Sequence, residues 1–256
     1  MTPHRNLIFD IGLNKGEDSA FYLAKGFRVI AIEANPTLTR ACTEKFSSEI
    51  ANGSLVILNC GIWDEEKTLT FYENLDNDHW SSFDKGAGTR LGSRYKTYEV
   101  ECIRIVNLFE RFGCPYYLKI DVEHADKHIL KDMRSLKCRP RFISCEEDGV
   151  ETFDLLSALG YDHFQIVSQN TKHLNQRPPE EAREGRFVEW SFGPLDSGLF
   201  GFELSNEWLS FDETRSKYLA EIRDASGRFL QQNDWFDIHA TTQEMIESAA
   251  TGRLIV

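Results

Sequence analysis

A chain of 256 residues, 41% hydrophobic and 27% charged, has the size and composition of one large globular α/β domain, with or without an appendage. Its net charge of −12, with acids outnumbering bases 41 to 29, argues against nucleic acid as a partner, because that affinity comes from Lys and Arg neutralising phosphates. No run approaches the ~20 apolar residues of a membrane span, and the opening MTPHRNLIFDIG has no apolar leader core, so the expected setting is cytoplasmic, without a membrane partner.

The apolar run at 6–12 ends in glycine and predicts a buried strand. Residues 17–25 predict a helix with Ala20, Phe21 and Ala24 on one face, closed by Gly26. A second β-rich run covers 28–34. Asn35 and Pro36 then supply a capping side chain and a proline at the first helical position. Leu38, Cys42, Phe46 and Ile50 follow at four-residue spacing, so that helix is amphipathic. Strands are expected over 55–63 and 68–72, a polar loop over 74–97, and a strand over 98–106. Residues 116–122 (YYLKIDV) predict a strand, 125–136 a helix, 141–145 a strand, 150–159 a helix closed by Gly160, and 161–168 a further strand. Residues 169–197, with Pro178 and Pro179, read as a long loop, and 198–204 as a late strand. The tail from Glu207 reads as mostly helical, and its aromatics Trp208, Phe211, Tyr218 and Phe229 argue that it docks on the rest. Strands alternating with ten-residue helices imply a mostly parallel sheet with right-handed crossovers. The expected organisation is a Rossmann-like domain over 1–205 with a mostly helical extension over 206–256.

The six cysteines, at 42, 60, 102, 114, 138 and 145, form no C-x-x-C pair and match no zinc spacing. Cys60, Cys102 and Cys145 lie in apolar, strand-like runs and read as buried free thiols, a pattern that suits a reducing compartment.

The first strand runs into Asp10-Ile11-Gly12-Leu13-Asn14-Lys15-Gly16-Glu17-Asp18. Two glycines turn the chain and a helix starts, at the carboxyl end of a strand where open α/β sheets bind ligands. Dinucleotide sites place a third glycine where Asn14 stands, to let the backbone approach a pyrophosphate. The turn therefore suits a ligand with a carboxylate and no pyrophosphate, met by the helix N-terminus. Glu33 ends the second strand, where an ionised carboxylate accepts from two ribose hydroxyls. Asp10 is placed to accept from the cofactor's amino group or to brace the turn. Asp18 is placed to touch the cofactor or to complement the helix dipole.

A third motif, Leu118-Lys119-Ile120-Asp121-Val122-Glu123-His124-Ala125-Asp126, puts acids and a histidine at the rim of a central strand. Together FDIGLNKGED, AIEANP and LKIDVEHAD resemble the FkbM family of S-adenosylmethionine-dependent methyltransferases, in order and spacing, over residues 6–168. GLFGFELSNEWLS and WFDIHA are similar to C-terminal segments of some members. The resemblance implies a class I methyltransferase fold and O-methylation of a hydroxyl on a small molecule or glycan. It implies that Asp10, Gly12, Asn14, Gly16 and Glu33 surround S-adenosylmethionine, and that a serine of Trp80-Ser81-Ser82 lies near the pocket. Asp18, Asn35 and Ser82 complete the candidate cofactor set. Two departures stand out: Ala34 replaces the proline of the second motif, and His124 replaces the glycine of the third.

Methyl transfer is an in-line displacement in which positioning alone can supply ~7–11 kcal/mol. The candidate general bases are Asp121 and His124, the latter with a reference pKa near neutrality. Glu146-Glu147-Asp148 follow the fifth strand on the same rim, as substrate contacts or, with Asp121, as magnesium ligands; no metal is expected. His79 and His239 have no partner in sequence. The rival readings are an NAD-dependent oxidoreductase and a non-catalytic nucleoside-binding scaffold on the same fold.

Overall fold

Strand β1 (His4–Ile11) alternates between two apolar environments. Leu7, Phe9 and Ile11 join a cluster with Phe109, Ile129 and Leu130, while Ile8 joins another with Phe21, Tyr22 and Phe200. A strand that buries both faces needs cover on both, and that is the condition for a doubly wound sheet. The computed structural model, which describes residues 2–231 and 234–251, has this architecture.

The remaining strands are β2 (Arg28–Ile32), β3 (Leu55–Leu58), β4 (Gly61–Trp63), β5 (Lys67–Asn74), β6 (Tyr95–Arg104), β7 (Pro115–Ile120), β8 (Phe142–Glu146), β9 (His163–Ser168), β10 (Leu209–Ser210) and β11 (Phe236–Thr241). The helices are α1 (Glu17–Ala24), α2 (Pro36–Lys45), α3 (Ser47–Ala51), α4 (Lys85–Gly88), α5 (Ile105–Phe112), α6 (Asp126–Asp132), α7 (Val150–Ala158), α8 (Lys172–Asn175), α9 (Phe211–Glu221) and α10 (Gln243–Ala250). The main sheet has eight strands in the order β10-β9-β11-β8-β7-β1-β2-β3, and a second sheet has the order β4-β6-β5. Strands β8, β7, β1, β2 and β3 pair in parallel; β11 is antiparallel to both β8 and β9. This is the class I methyltransferase arrangement. Chain direction across the sheet reverses at β1, between β2 and β7, which opens a crevice at the carboxyl ends of these strands.

Several elements differ from the sequence expectation. The run over 55–63 breaks into β3 and β4, which enter different sheets. Asn59 sits at the break, and its Nδ2 donates to the carbonyls of Glu33 (2.8 Å) and Ala34 (3.2 Å), tying the turn to the end of β2. The strand over 98–106 gives way at Ile105 to α5, whose Ile105, Leu108 and Phe109 are buried. Residues 198–204 form no strand. Gly198 and Gly201 take left-handed φ of 93° and 62°. The N–H groups of Leu199 and Phe202, which a ladder would need, donate instead to Gln176 Oε1 (2.7 Å) and Glu184 Oε1 (2.8 Å). The tail carries the helices α9 and α10, and it adds β11, which enters the sheet itself. Residues 252–256 lie outside the described residues.

Cys42, Cys60, Cys102 and Cys145 are buried free thiols. Cys114 and Cys138, for which spacing predicts no partner, form a disulfide across 24 residues, and this pair removes the cysteine argument for a reducing compartment. Among the described residues no helix is long and apolar enough to cross a membrane.

Candidate active site

The turn after β1 is built by close backbone approach. Gly12 has φ 96°, and a Cβ there would lie 1.9 Å from the carbonyl oxygen of Asp121. No side chain fits, so β1 and β7 meet at their rims through bare backbone. The N–H groups of Gly12 and Leu13 donate to the carbonyl of Ile32 (3.1 and 2.9 Å), which fastens the turn to β2. Asn14 stands at φ 49°, a conformation that asparagine tolerates better than most residues. Gly16, at φ 76°, packs where a Cβ would meet the Phe46 ring at 2.5 Å. It starts α1 with no side-chain cap, so the helix N-terminus stays open.

Glu33 is 7% exposed and holds two loops at once: one oxygen accepts the N–H of Asn14 and the other that of Asn35, both at 2.7 Å. Burial pushes its carboxyl up to about 7, although both N–H donors pull the other way. Asn35 caps α2 by accepting from the N–H of Thr37 (2.9 Å), and its Nδ2 donates to Glu73 (2.7 Å).

Lys119 is the hub of the rim. Its Nζ lies 3.4 Å from Asp10, 3.0 Å from Asp18 and 3.2 Å from Asp121. Burial opposes its charge, but Asp18, Asp10 and Asp121 outweigh that and hold its pKa well above the usual lysine range. Burial pushes Asp10 up to about 6, with Lys119 opposing. Asp10 also accepts from Ser19 Oγ (2.6 Å), and Asp18 from the N–H of Ser197 (2.7 Å). A lone lysine inside an apolar strand was the available signal for this hub.

A cavity of about 510 Å³ opens above these groups. Gly12, Asn14, Asp18, Glu33, Asn35, Ser82 and Asp121 all line it. Asp10 and Gly16 do not: Asp10 braces Lys119 from below, and Gly16 serves the packing of α1. His124 is also outside the walls, exposed and at φ 71°, which gives a physical reason for glycine at this position in the family pattern. Both loops lacking regular pattern contribute walls, Asn77 to Phe83 with Arg90 from one, and Gln169, Lys172, Pro194, Leu195 and Ser197 from the other. Ser82 Oγ donates to the carbonyl of Glu123 (2.7 Å), Arg90 pairs with the Glu123 carboxylate and stacks 5.1 Å over Trp80, and Lys15 meets Asp78 at 2.5 Å. These contacts hold the β5–β6 connection against the glycine turn and the β7 rim.

Of the three acids at the end of β8 and just beyond it, only Glu146, the last residue of the strand, lines the cavity. Glu147 accepts from Tyr218 (2.8 Å) and Arg223 (2.5 Å), so it anchors the tail, and Asp148 pairs with Lys127 at 3.0 Å. His79 lines the cavity, whereas His239 is buried within β11. Trp235 and Asp237, next to and on β11, complete the walls; sequence reasoning missed both because the tail read as helix. The lining carries eight acids (Glu17, Asp18, Glu33, Asp78, Asp121, Glu123, Glu146 and Asp237) against Arg90, Lys119 and Lys172; burial raises Glu33, Glu146 and Asp237 toward neutrality, and the other five still outnumber the three cations. Such a surplus favours a cationic ligand.

The FkbM methyltransferase domain matches residues 10–173 of the chain. Among solved structures, the chain is similar to an FkbM methyltransferase from Methylobacillus flagellatus KT at 16% identity and a TM-score of 0.42, covering 66% of this chain and 40% of that one. The chain thus spans about two fifths of that relative. It is also similar to a precorrin-6y C5,15-methyltransferase from Geobacter metallireducens GS-15 (11% identity, TM-score 0.41, 94% of this chain and 82% of that one). A precorrin-8w decarboxylase from Methanobacterium thermoautotrophicum matches at 13% identity and a TM-score of 0.42, over 94% and 83% of the two chains. No curated protein sequence matches. The family domain covers more than half of the chain, which therefore belongs to the FkbM methyltransferases.

Proposed function

We propose that this protein transfers a methyl group from S-adenosylmethionine to a hydroxyl of a small molecule or glycan. The observation that carries the reading is the pairing, on one cavity wall, of the Glu33 carboxylate with the uncapped N-terminus of α1. A buried carboxylate suits ribose hydroxyls, and free N–H groups at a helix start suit a carboxylate tail. The pyrophosphate of a dinucleotide fits less well, because Asn14 occupies the place where backbone must come close. The group also fits the cavity's acidic surplus, since a sulfonium is a cation.

When bound, S-adenosylmethionine supplies an electrophilic methyl on sulfur. The protein's own part is positional and electrostatic. Glu33 and the turn around Gly12 hold the nucleoside end. Asp121, its side chain 52% exposed at the rim and 3.2 Å from Lys119, accepts the proton of the acceptor hydroxyl as that oxygen takes the methyl. Asp121, on the wall, suits this role better than His124, which stands outside it. Trp80 and Phe83, with Ser82 tied to Glu123, form the wall that limits water.

Calorimetric titration of the purified protein with S-adenosylmethionine, S-adenosylhomocysteine, NAD and NADP tests the reading. The expected result is micromolar affinity for the first two, falling roughly 10- to 100-fold in Glu33→Ala as charged hydrogen bonds to the ribose are lost. Tight NAD binding with none of S-adenosylmethionine overturns it.

A further inference from the structure

Three carboxylates stand in one row across adjacent strands at the rim. Asp237 on β11 is the register partner of Glu146 on β8. Lys119 on β7 is the partner of Ser144, so Asp121, two residues on, stands beside Glu146 on the same face. Like charges side by side on a sheet are destabilising. One level deeper, Lys119 offsets Asp10 and Asp18. At the rim, among the described residues, Glu146 and Asp237 make no hydrogen bond and no ion pair, although both line the cavity. The nearest candidate cation, Lys172, is buried and turns its Nζ to the carbonyls of Gln169 (2.9 Å) and Pro194 (3.3 Å). Burial, and then the neighbouring carboxylates, push Glu146 up to about 10; burial and Asp121 raise Asp237 well above the usual range against the opposing charges of Lys172 and Lys119, so the pair holds protons at neutral pH that an arriving cation would displace.

A neutral side chain points to the same kind of ligand. Gln169 is only 2% exposed and lines this end of the cavity. Its Nε2 donates to the carbonyl of Val167 (3.4 Å), which leaves Oε1 without a donor among the described residues. Gln169 Oε1 and the oxygens of Glu146 and Asp237, once these carboxyls give up their protons, are acceptors grouped at one end of the cavity, and they suit a group that only donates. An ammonium has three donors, no acceptor and the complementary charge. A divalent cation is a poorer match, since among the described residues no three acids, histidines or cysteines are placed to hold a metal. The row is also clear of the cofactor turn. Strands β1, β7, β8 and β11 are consecutive, so at ~4.8 Å per strand Glu146 and Asp237 lie roughly 10 and 14 Å from β1, on the side away from Glu33.

We infer that the Glu146–Asp237 end of the cavity binds a protonated amine, so that the acceptor molecule carries an ammonium group beside the hydroxyl to be methylated; this rests on the methyl-transfer reading above. The test is calorimetry on the protein, free and loaded with S-adenosylhomocysteine. The probes are ethanolamine, 2-amino-2-deoxyglucose and putrescine, each against its hydroxyl counterpart, with magnesium chloride as a further titrant. At neutral pH the amines should bind about tenfold tighter than their counterparts and release protons to the buffer as the carboxyls ionise, which calorimetry in buffers of different ionisation enthalpy reads. Asp237→Asn with Glu146→Gln should abolish the preference and leave S-adenosylhomocysteine affinity within about twofold, since neither residue faces the cofactor turn. Equal affinities, no amine binding, or a preference that survives both substitutions overturns the inference. Magnesium binding in place of the amines overturns it in favour of a metal site. The wild-type comparison needs no variant to fold. Failure of S-adenosylhomocysteine to bind would count against the cofactor reading instead, and the amine titrations of the free protein would still be decisive.

Discussion

His239 makes the fold acid-sensitive in a way that can be isolated. It is 2% exposed on β11, its Nε2 has no hydrogen-bond partner among the described residues, and burial pushes its pKa down to about 3. In the unfolded chain the imidazole takes its proton near ~6.5. Between these values the unfolded state binds more protons, so this site's contribution to stability falls as pH falls through that window. The loss is about 2 kcal/mol at about pH 5 and about 3 kcal/mol at about pH 4. Burial raises Glu33, Asp126, Glu146 and Glu184 to about 7, 8, 10 and 8, and these groups act with the opposite sign, favouring the folded state as pH falls. The total pH profile therefore mixes both signs, and the informative quantity is a difference. Urea unfolding of wild type and His239→Gln should show the variant gaining about 2 kcal/mol on wild type between about pH 7 and about pH 5. A gap between the two proteins that does not change with pH would refute the reasoning.

Other consequences follow from the same geometry. Gly12→Ala forces a Cβ against the Asp121 carbonyl in a left-handed conformation, so it should lower the melting temperature and abolish S-adenosylhomocysteine binding; a variant that melts and binds like wild type contradicts the close approach. Lys119→Met leaves Asp10 and Asp18 buried without their cation and should cost about 3–5 kcal/mol in urea unfolding at neutral pH, with part of the loss recovered in acid. Cys138→Ser opens a loop of 24 residues, worth about 3 kcal/mol of chain entropy, so its melting temperature should drop by roughly 6–12 °C. Wild type treated with a dithiol should match that variant, and identical melts with and without the bond would deny it any role in stability.

The fold's central half was legible because its motifs are local. The glycine turn, the acid at the end of β2 and the apolar YYLKI strand each lie within ten residues, and their order alone sets three adjacent strands. What failed to show was long-range. The FDIHAT run becomes β11 because its partners β8 and β9 leave an opening between them, and nothing nearby in sequence records that gap. The apolar stretch 198–204 looks like a strand until Gln176 and Glu184, some twenty residues earlier, take its N–H groups. The site shows the same division. Gly12, Asn14, Asp18, Glu33 and Asp121 were found from motifs, whereas Asp237, Gln169 and Lys172 reach the cavity only through the tail and the long loop. Asp10 and Gly16 belong to the motif yet support the site from behind it, because a motif records every residue a turn needs and not only those that face the ligand.

The central claim is that the crevice between Gly12 and Glu33 holds S-adenosylmethionine, and a crystal structure of the protein with S-adenosylhomocysteine tests it most directly. The ribose hydroxyls should lie within hydrogen-bond distance of Glu33, the carboxylate tail against the first turn of α1, and the sulfur toward Asp121. A ligand seated away from Glu33, or a cavity filled by a different molecule under saturating S-adenosylhomocysteine, would contradict it.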